Sequence, residues 1–110
     1  MCGIAGLIDF SRRSSEEELF SAAIEMAKPL SHRGPDDQGI WVDASCGIAF
    51  GFRRLSILDL TPNGHQPMEC SAGRYVLAFN GEISIQNKSI NAISFFLDLV
   101  ISREIIVKFP

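Results

Sequence analysis

The sequence predicts one small domain of the α+β class, and two observations predict it. Short apolar runs of strand character recur along the chain, separated by turns rich in Gly, Pro and Asp. Among them lie two segments whose apolar residues follow helical spacing. A chain of 110 residues has room for one core and not for two.

Ile4–Phe10 is mostly apolar and reads as a buried strand. Ser14-Ser15 followed by Glu16, Glu17 and Glu18 reads as a helix start, with a Ser N-cap and a carboxylate placed to close a capping box. Leu19, Ala22, Ala23, Met26 and Ala27 continue it at helical spacing, and Pro29 stops it at about Lys28. His32–Gly39 is loop chemistry. Ile40–Val42 and Gly47–Phe52 read as two strands around a turn at Asp43-Ala44-Ser45. Leu55–Leu58 reads as a further strand edge, and Thr61–Pro67 as a second long loop. Tyr75–Phe79 is a strand running straight into Asn80-Gly81, the strongest two-residue turn signal in the chain. Ile90–Arg103 has helical spacing, and Glu104–Phe109 reads as a short strand.

Net charge is −3, which argues against a nucleic-acid or membrane-surface footprint. The longest apolar run, Ala92–Ile101, contains Ser94 and Asp98 and is too short to span a bilayer. The three cysteines, Cys2, Cys46 and Cys70, are odd in number, widely spaced and outside any zinc pattern. They read as free thiols in a reducing, cytoplasmic compartment, and Cys46 and Cys70 as inert. No basic signal-type N-terminus is present.

Cys2 carries the chemistry. Removal of Met1 would leave a free α-amine beside its thiol. The two groups ordinarily titrate within about one unit of each other, so the amine, directly or through a water, can take the thiol proton. One residue then supplies both nucleophile and general base. Gly3 lets the backbone approach a substrate closely.

Four blocks resemble one family. Met1-Cys2-Gly3-Ile4-Ala5-Gly6 is similar to the N-terminus of class II glutamine amidotransferases, a branch of the N-terminal nucleophile hydrolases. So are Ser31-His32-Arg33-Gly34-Pro35-Asp36, then Arg54–Asp59 with Gly64-His65-Gln66-Pro67-Met68, then Phe79-Asn80-Gly81-Glu82-Ile83. Within the class the pattern resembles the glutaminase domain of asparagine synthetase, and synthetase-like proteins of polysaccharide gene clusters share the blocks. The resemblance implies a four-layer α/β/β/α sandwich, here incomplete. It implies that Arg54 holds the glutamine α-carboxylate, because a guanidinium fork matches a carboxylate bidentately. Asn80 and the Gly81 N–H would form the oxyanion hole, where one donor typically contributes about 3–4 kcal/mol of barrier lowering. Glu82 would orient the polar end of glutamine, and Leu55, Ser56, Ile57 and Leu58 would line the pocket through their backbone. His32, Arg33 and His65 read as residues that shape loops.

The implied reaction is attack of Cys2 on the glutamine side-chain amide, release of ammonia, and hydrolysis of the γ-glutamyl thioester to glutamate. The resemblance covers residues 1–83 and stops, with Ser84 where the family has tyrosine and residues 84–110 forming a divergent tail. The family's later aspartate, which binds the glutamine α-amine, has no counterpart, and Asp98 lies in the wrong context. Losing one charged hydrogen bond would weaken glutamine binding roughly ten- to a hundred-fold. No cofactor is expected here; ATP and Mg2+ belong to the family's synthetase domain, whose loop this sequence lacks. The expected partners are glutamine and a separate synthetase domain or chain, with no nucleic acid and no membrane. The alternative is a catalytically inactive fragment, or a regulatory or binding module of the same ancestry.

Overall fold

The computed structural model describes residues 2–81 and the backbone of residues 104–108. It is a mixed α+β arrangement with one helix and two three-stranded antiparallel sheets among these residues. The strands are β1 (Gly3–Ile8), β2 (Asp37–Asp43), β3 (Ile48–Arg54), β4 (Met68–Glu69), β5 (Tyr75–Phe79) and β6 (Glu104–Lys108). The helix α1 spans Glu16–Ala27. No helix among the described residues is long and apolar enough to cross a membrane.

The first sheet has the order β1-β3-β2. Its central strand is the one whose sequence is apolar on both faces, Ile48-Ala49-Phe50-Gly51-Phe52. A strand flanked on both sides and covered on both faces needs this pattern. The register pairs Ala5 and Ile40 with Gly51, so Leu7, Ala49, Gly51, Ile40 and Val42 share one face. Helix α1 covers that face with Leu19, Ala23 and Ala27, all buried. Gly51 permits the close fit: a Cβ there would lie 2.7 Å from the Ala23 carbonyl oxygen and 3.0 Å from the Ala27 Cβ. The opposite face carries Phe50, Phe52 and Arg54, all buried, with Trp41 stacked on Phe50 at 5.8 Å.

The helix begins as its sequence indicates. Ser15 is the N-cap, its hydroxyl accepting the Glu18 N–H at 3.2 Å while Glu18 accepts the Ser15 N–H at 2.7 Å. After Ala27 the chain tightens into a 3-10 turn over Lys28–Leu30, where Pro29 prevents further α-helix.

The second sheet has the order β4-β5-β6. Val76, Leu77 and Ala78 of β5 are buried. Gln66 joins this sheet to the first. Its side-chain oxygen accepts the Phe79 N–H at 2.6 Å, and its carbonyl oxygen packs directly on Gly39 of β2.

Three expectations need correction. Leu55–Leu58 is not a strand: the β3 ladder ends at Arg54, and the segment turns away as irregular chain. The strand expected at Ile40–Val42 begins earlier, at Asp37, because β3 offers partners as far as Arg54. Asn80-Gly81 follows β5 directly, but the next strand to pair with β5 is β6, which starts at Glu104, so the dipeptide by itself does not close a two-residue hairpin. The helix expected over Ile90–Arg103 lies outside the described residues.

Candidate active site

The antiparallel register brings the two ends of the first block and β3 together. Gly3 pairs with Arg53, so Cys2 lies at the same end of the sheet as Arg54 and Leu55. Cys2 is half-buried, and its Sγ accepts the Leu55 N–H at 3.4 Å. The same sulfur lies 3.8 Å from the Leu55 carbonyl oxygen. Both backbone polar atoms of one residue, Leu55, therefore border the Cys2 sulfur.

Arg54 is the only charged side chain among the buried described residues, with 8% of its surface exposed. Its Nη1 donates to the Thr61 carbonyl at 2.7 Å, and its Nη2 donates to the Asp59 carbonyl. These two bonds fold the 55–61 segment back over the end of β3. Gly64 completes the seat, because a Cβ there would collide with the guanidinium. The arginine has five N–H donors, so two commitments leave others for a ligand.

Beside Arg54 is an open cleft of about 490 Å3 whose lining includes Asp36, Asp37, Ser56, Thr61 and His65. Asp36 accepts the Ser56 N–H at 2.7 Å and its own N–H donates to the Arg54 carbonyl at 3.0 Å. The His65 Nδ1 lies 2.6 Å from the Asp37 carboxylate. Asp59 sits lower than the ordinary carboxylate range, first because the Thr61 hydroxyl donates to it, with the Arg54 charge a smaller contribution.

Cys2, Arg54, Leu55 and Ser56 thus converge. Ile57 and Leu58 are 61% and 74% exposed and stand away from the cleft. Asn80 is half-buried and Gly81 exposed at the end of β5, in the second sheet. Glu82 lies outside the described residues. Asp36, Asp37 and His65 were readable only as loop residues. Nothing in the spacing joins Asp36 to Ser56, twenty positions on, without the β2–β3 ladder.

A family profile described as a glutamine amidotransferase domain matches residues 1–89. The chain belongs to the glutamine amidotransferase family. Over 76% of its length it is 47% identical to the Bacillus subtilis protein named asparagine synthetase [glutamine-hydrolyzing] 2, of which it covers 11%. A putative asparagine synthetase [glutamine-hydrolyzing] 2 of Methanocaldococcus jannaschii is 37% identical over 76% of the chain and 18% of that protein. A putative asparagine synthetase [glutamine-hydrolyzing] of Mycobacterium tuberculosis is 42% identical over 76% of the chain and 14% of that protein. The chain therefore spans less than a fifth of the length of these curated relatives. Cys2 and Arg54 both fall inside residues 1–89, the span that the family profile matches.

Proposed function

We propose that this domain hydrolyses the side-chain amide of glutamine, with Cys2 as the nucleophile, and supplies ammonia to an asparagine synthetase-like reaction. The observation that carries the reading is the placement of the Cys2 sulfur on the Leu55 peptide, next to the buried Arg54. A half-buried thiol held on the residue that follows a buried cation suits attack on an amide anchored by its carboxylate.

In this reading Met1 is removed and the Cys2 α-amine accepts the thiol proton. The sulfur attacks the glutamine Cδ, forming an S–C bond as the carbonyl electrons move to oxygen. The Asn80 side chain and the Gly81 N–H hold that oxyanion. The carbonyl re-forms, the C–N bond breaks, and the α-ammonium returns its proton so that ammonia leaves. Water then attacks the γ-glutamyl thioester and releases glutamate, restoring the thiol. Arg54 binds the glutamine α-carboxylate with the N–H donors not committed to Asp59 and Thr61. Glu82 and the backbone of residues 55–58 orient the rest of the substrate.

The helix α1 and the two sheets would supply three layers of an N-terminal nucleophile hydrolase sandwich, with the fourth layer helical. ATP and Mg2+ would act on the synthetase side of the reaction, in another domain or chain, and the whole would work in the cytoplasm. The test is glutamate release from glutamine by the purified protein against Cys2→Ala. Release that disappears in the variant supports the reading; equal rates in both proteins reject it.

A further inference from the structure

The cleft beside Arg54 holds a pair of adjacent carboxylates to which the proposed reaction gives no task. Asp36 accepts the Ser56 N–H at 2.7 Å, and Ser56 is the neighbour of Leu55, whose own N–H donates to the Cys2 sulfur at 3.4 Å. Asp36 is itself held, because its N–H donates to the Arg54 carbonyl at 3.0 Å where β2 and β3 pair. The next residue, Asp37, reaches His65 at 2.6 Å, at the far end of the same loop. Arg54 grips the middle of that loop through the Asp59 and Thr61 carbonyls. The 55–65 segment has no ladder of its own to fix its shape. Its conformation next to the nucleophile is set by these side chains.

We propose that Asp36 is a positioning residue for the nucleophile: it fixes the Leu55-Ser56 peptides so that the Leu55 N–H stays aimed at the Cys2 sulfur. It touches neither substrate nor the reacting atoms, and acts through Leu55. The pairing of Asp37 with His65 pins the distal end of the loop and supports the same arrangement. An N–H directed at the sulfur fixes where that sulfur sits relative to the backbone. A loop free to swing would lose that donor and present the sulfur in several geometries. An error of about 1 Å at such a site is enough for a hundred-fold loss of rate.

The consequence for catalysis rests on the proposed glutaminase reading; the coupling of Asp36 to Leu55 does not. The experiment compares the intact protein with Asp36→Ala and Asp36→Asn by amide hydrogen exchange and by glutamine turnover. Asparagine keeps an acceptor oxygen at the same reach and is the rescuing variant. In Asp36→Ala the Ser56 and Leu55 amides should both exchange at least about tenfold faster, and kcat should fall at least about tenfold with KM changed less than about threefold. In Asp36→Asn most of the protection and most of kcat should return. Amides of α1, measured in the same sample, should keep their protection, which separates a local effect from general destabilisation.

Unchanged Leu55 protection in Asp36→Ala overturns the proposal whatever the activity. Lost protection with full kcat overturns it too, since the loop would then move without consequence for the thiol. If the intact protein shows no turnover, the glutaminase reading fails on its own, and Leu55 exchange still decides whether Asp36 positions the peptide that borders Cys2.

Discussion

Gly51→Ala tests how the helix is seated on the sheet that carries the site. The added Cβ would sit 2.7 Å from the Ala23 carbonyl oxygen and 3.0 Å from the Ala27 Cβ. Carbon–oxygen contacts ordinarily begin near about 3.3 Å and carbon–carbon contacts near about 3.5 Å. Helix α1 must therefore retreat by roughly 0.5 Å, and the obstacle is backbone, which no rotamer change relieves. The retreat loosens Leu19 and Ala23 against Ala49, Leu7, Ile40 and Val42. Overpacking of this kind costs about 1–3 kcal/mol. Replacing glycine also restricts the unfolded chain, which returns about 0.4–1 kcal/mol. Taking the middle of each range, the net expectation is a loss of about 1.3 kcal/mol. With a urea slope of about 1.5 kcal/mol/M, the unfolding midpoint falls by about 0.9 M at unchanged slope. A midpoint equal to or above that of the parent would show that α1 does not press on Gly51 as described.

Two further outcomes are expected. Ser15→Ala removes half of the capping box and should lower stability by about 1 kcal/mol, read as a lower urea midpoint; an unchanged midpoint would mean the Glu18 side of the box suffices. The Asp9 carboxylate is held well below its ordinary range, first by the Ser11 hydroxyl at 2.6 Å and then by Ser14. A native value below the unfolded one stabilises the fold above the unfolded pKa of about 3.9, and that stabilisation is lost as pH falls through the native value. Asp9→Asn should accordingly be less stable than the parent at pH 6, with the gap closing as the pH is lowered below about 4. A gap that stays constant down to pH 2 would argue against the Asp9 contacts.

The parts of the fold legible in the sequence are those whose causes are local. The Ser15 cap, the apolar spacing through Ala27 and the stop at Pro29 are all within a few residues of what they control, and α1 begins and ends where they put it. Tyr75–Phe79 is an apolar strand with three β-prone residues, Tyr75, Val76 and Phe79, bounded by turn formers, and its limits match. Strand ends elsewhere were less legible because pairing sets them. Asp37 and Gln38 have no strand character, yet they pair with Arg54 and Arg53. Leu55–Leu58 has strand character but pairs with none of the described strands, so it becomes loop. The family membership was legible as well, since four motif blocks survive in order and the matched span includes all of them.

For Cys2 the sequence by itself determined the residue type, its place beside Gly3, and its membership of a block shared with glutamine amidotransferases. The tertiary structure decided what the sulfur meets. The antiparallel β1–β3 register carries Cys2 to the end of β3, more than fifty positions away in the chain, and sets it on the Leu55 peptide. Likewise Arg54 is recognisable as a cation in a motif, but only folding shows that it is buried and already grips the Asp59 and Thr61 carbonyls. The reason is one of range. Propensity, capping and turn chemistry act over a few residues and leave their mark in the sequence. Ladder register and loop anchoring join residues far apart in the chain, and nothing local records which pairs will meet.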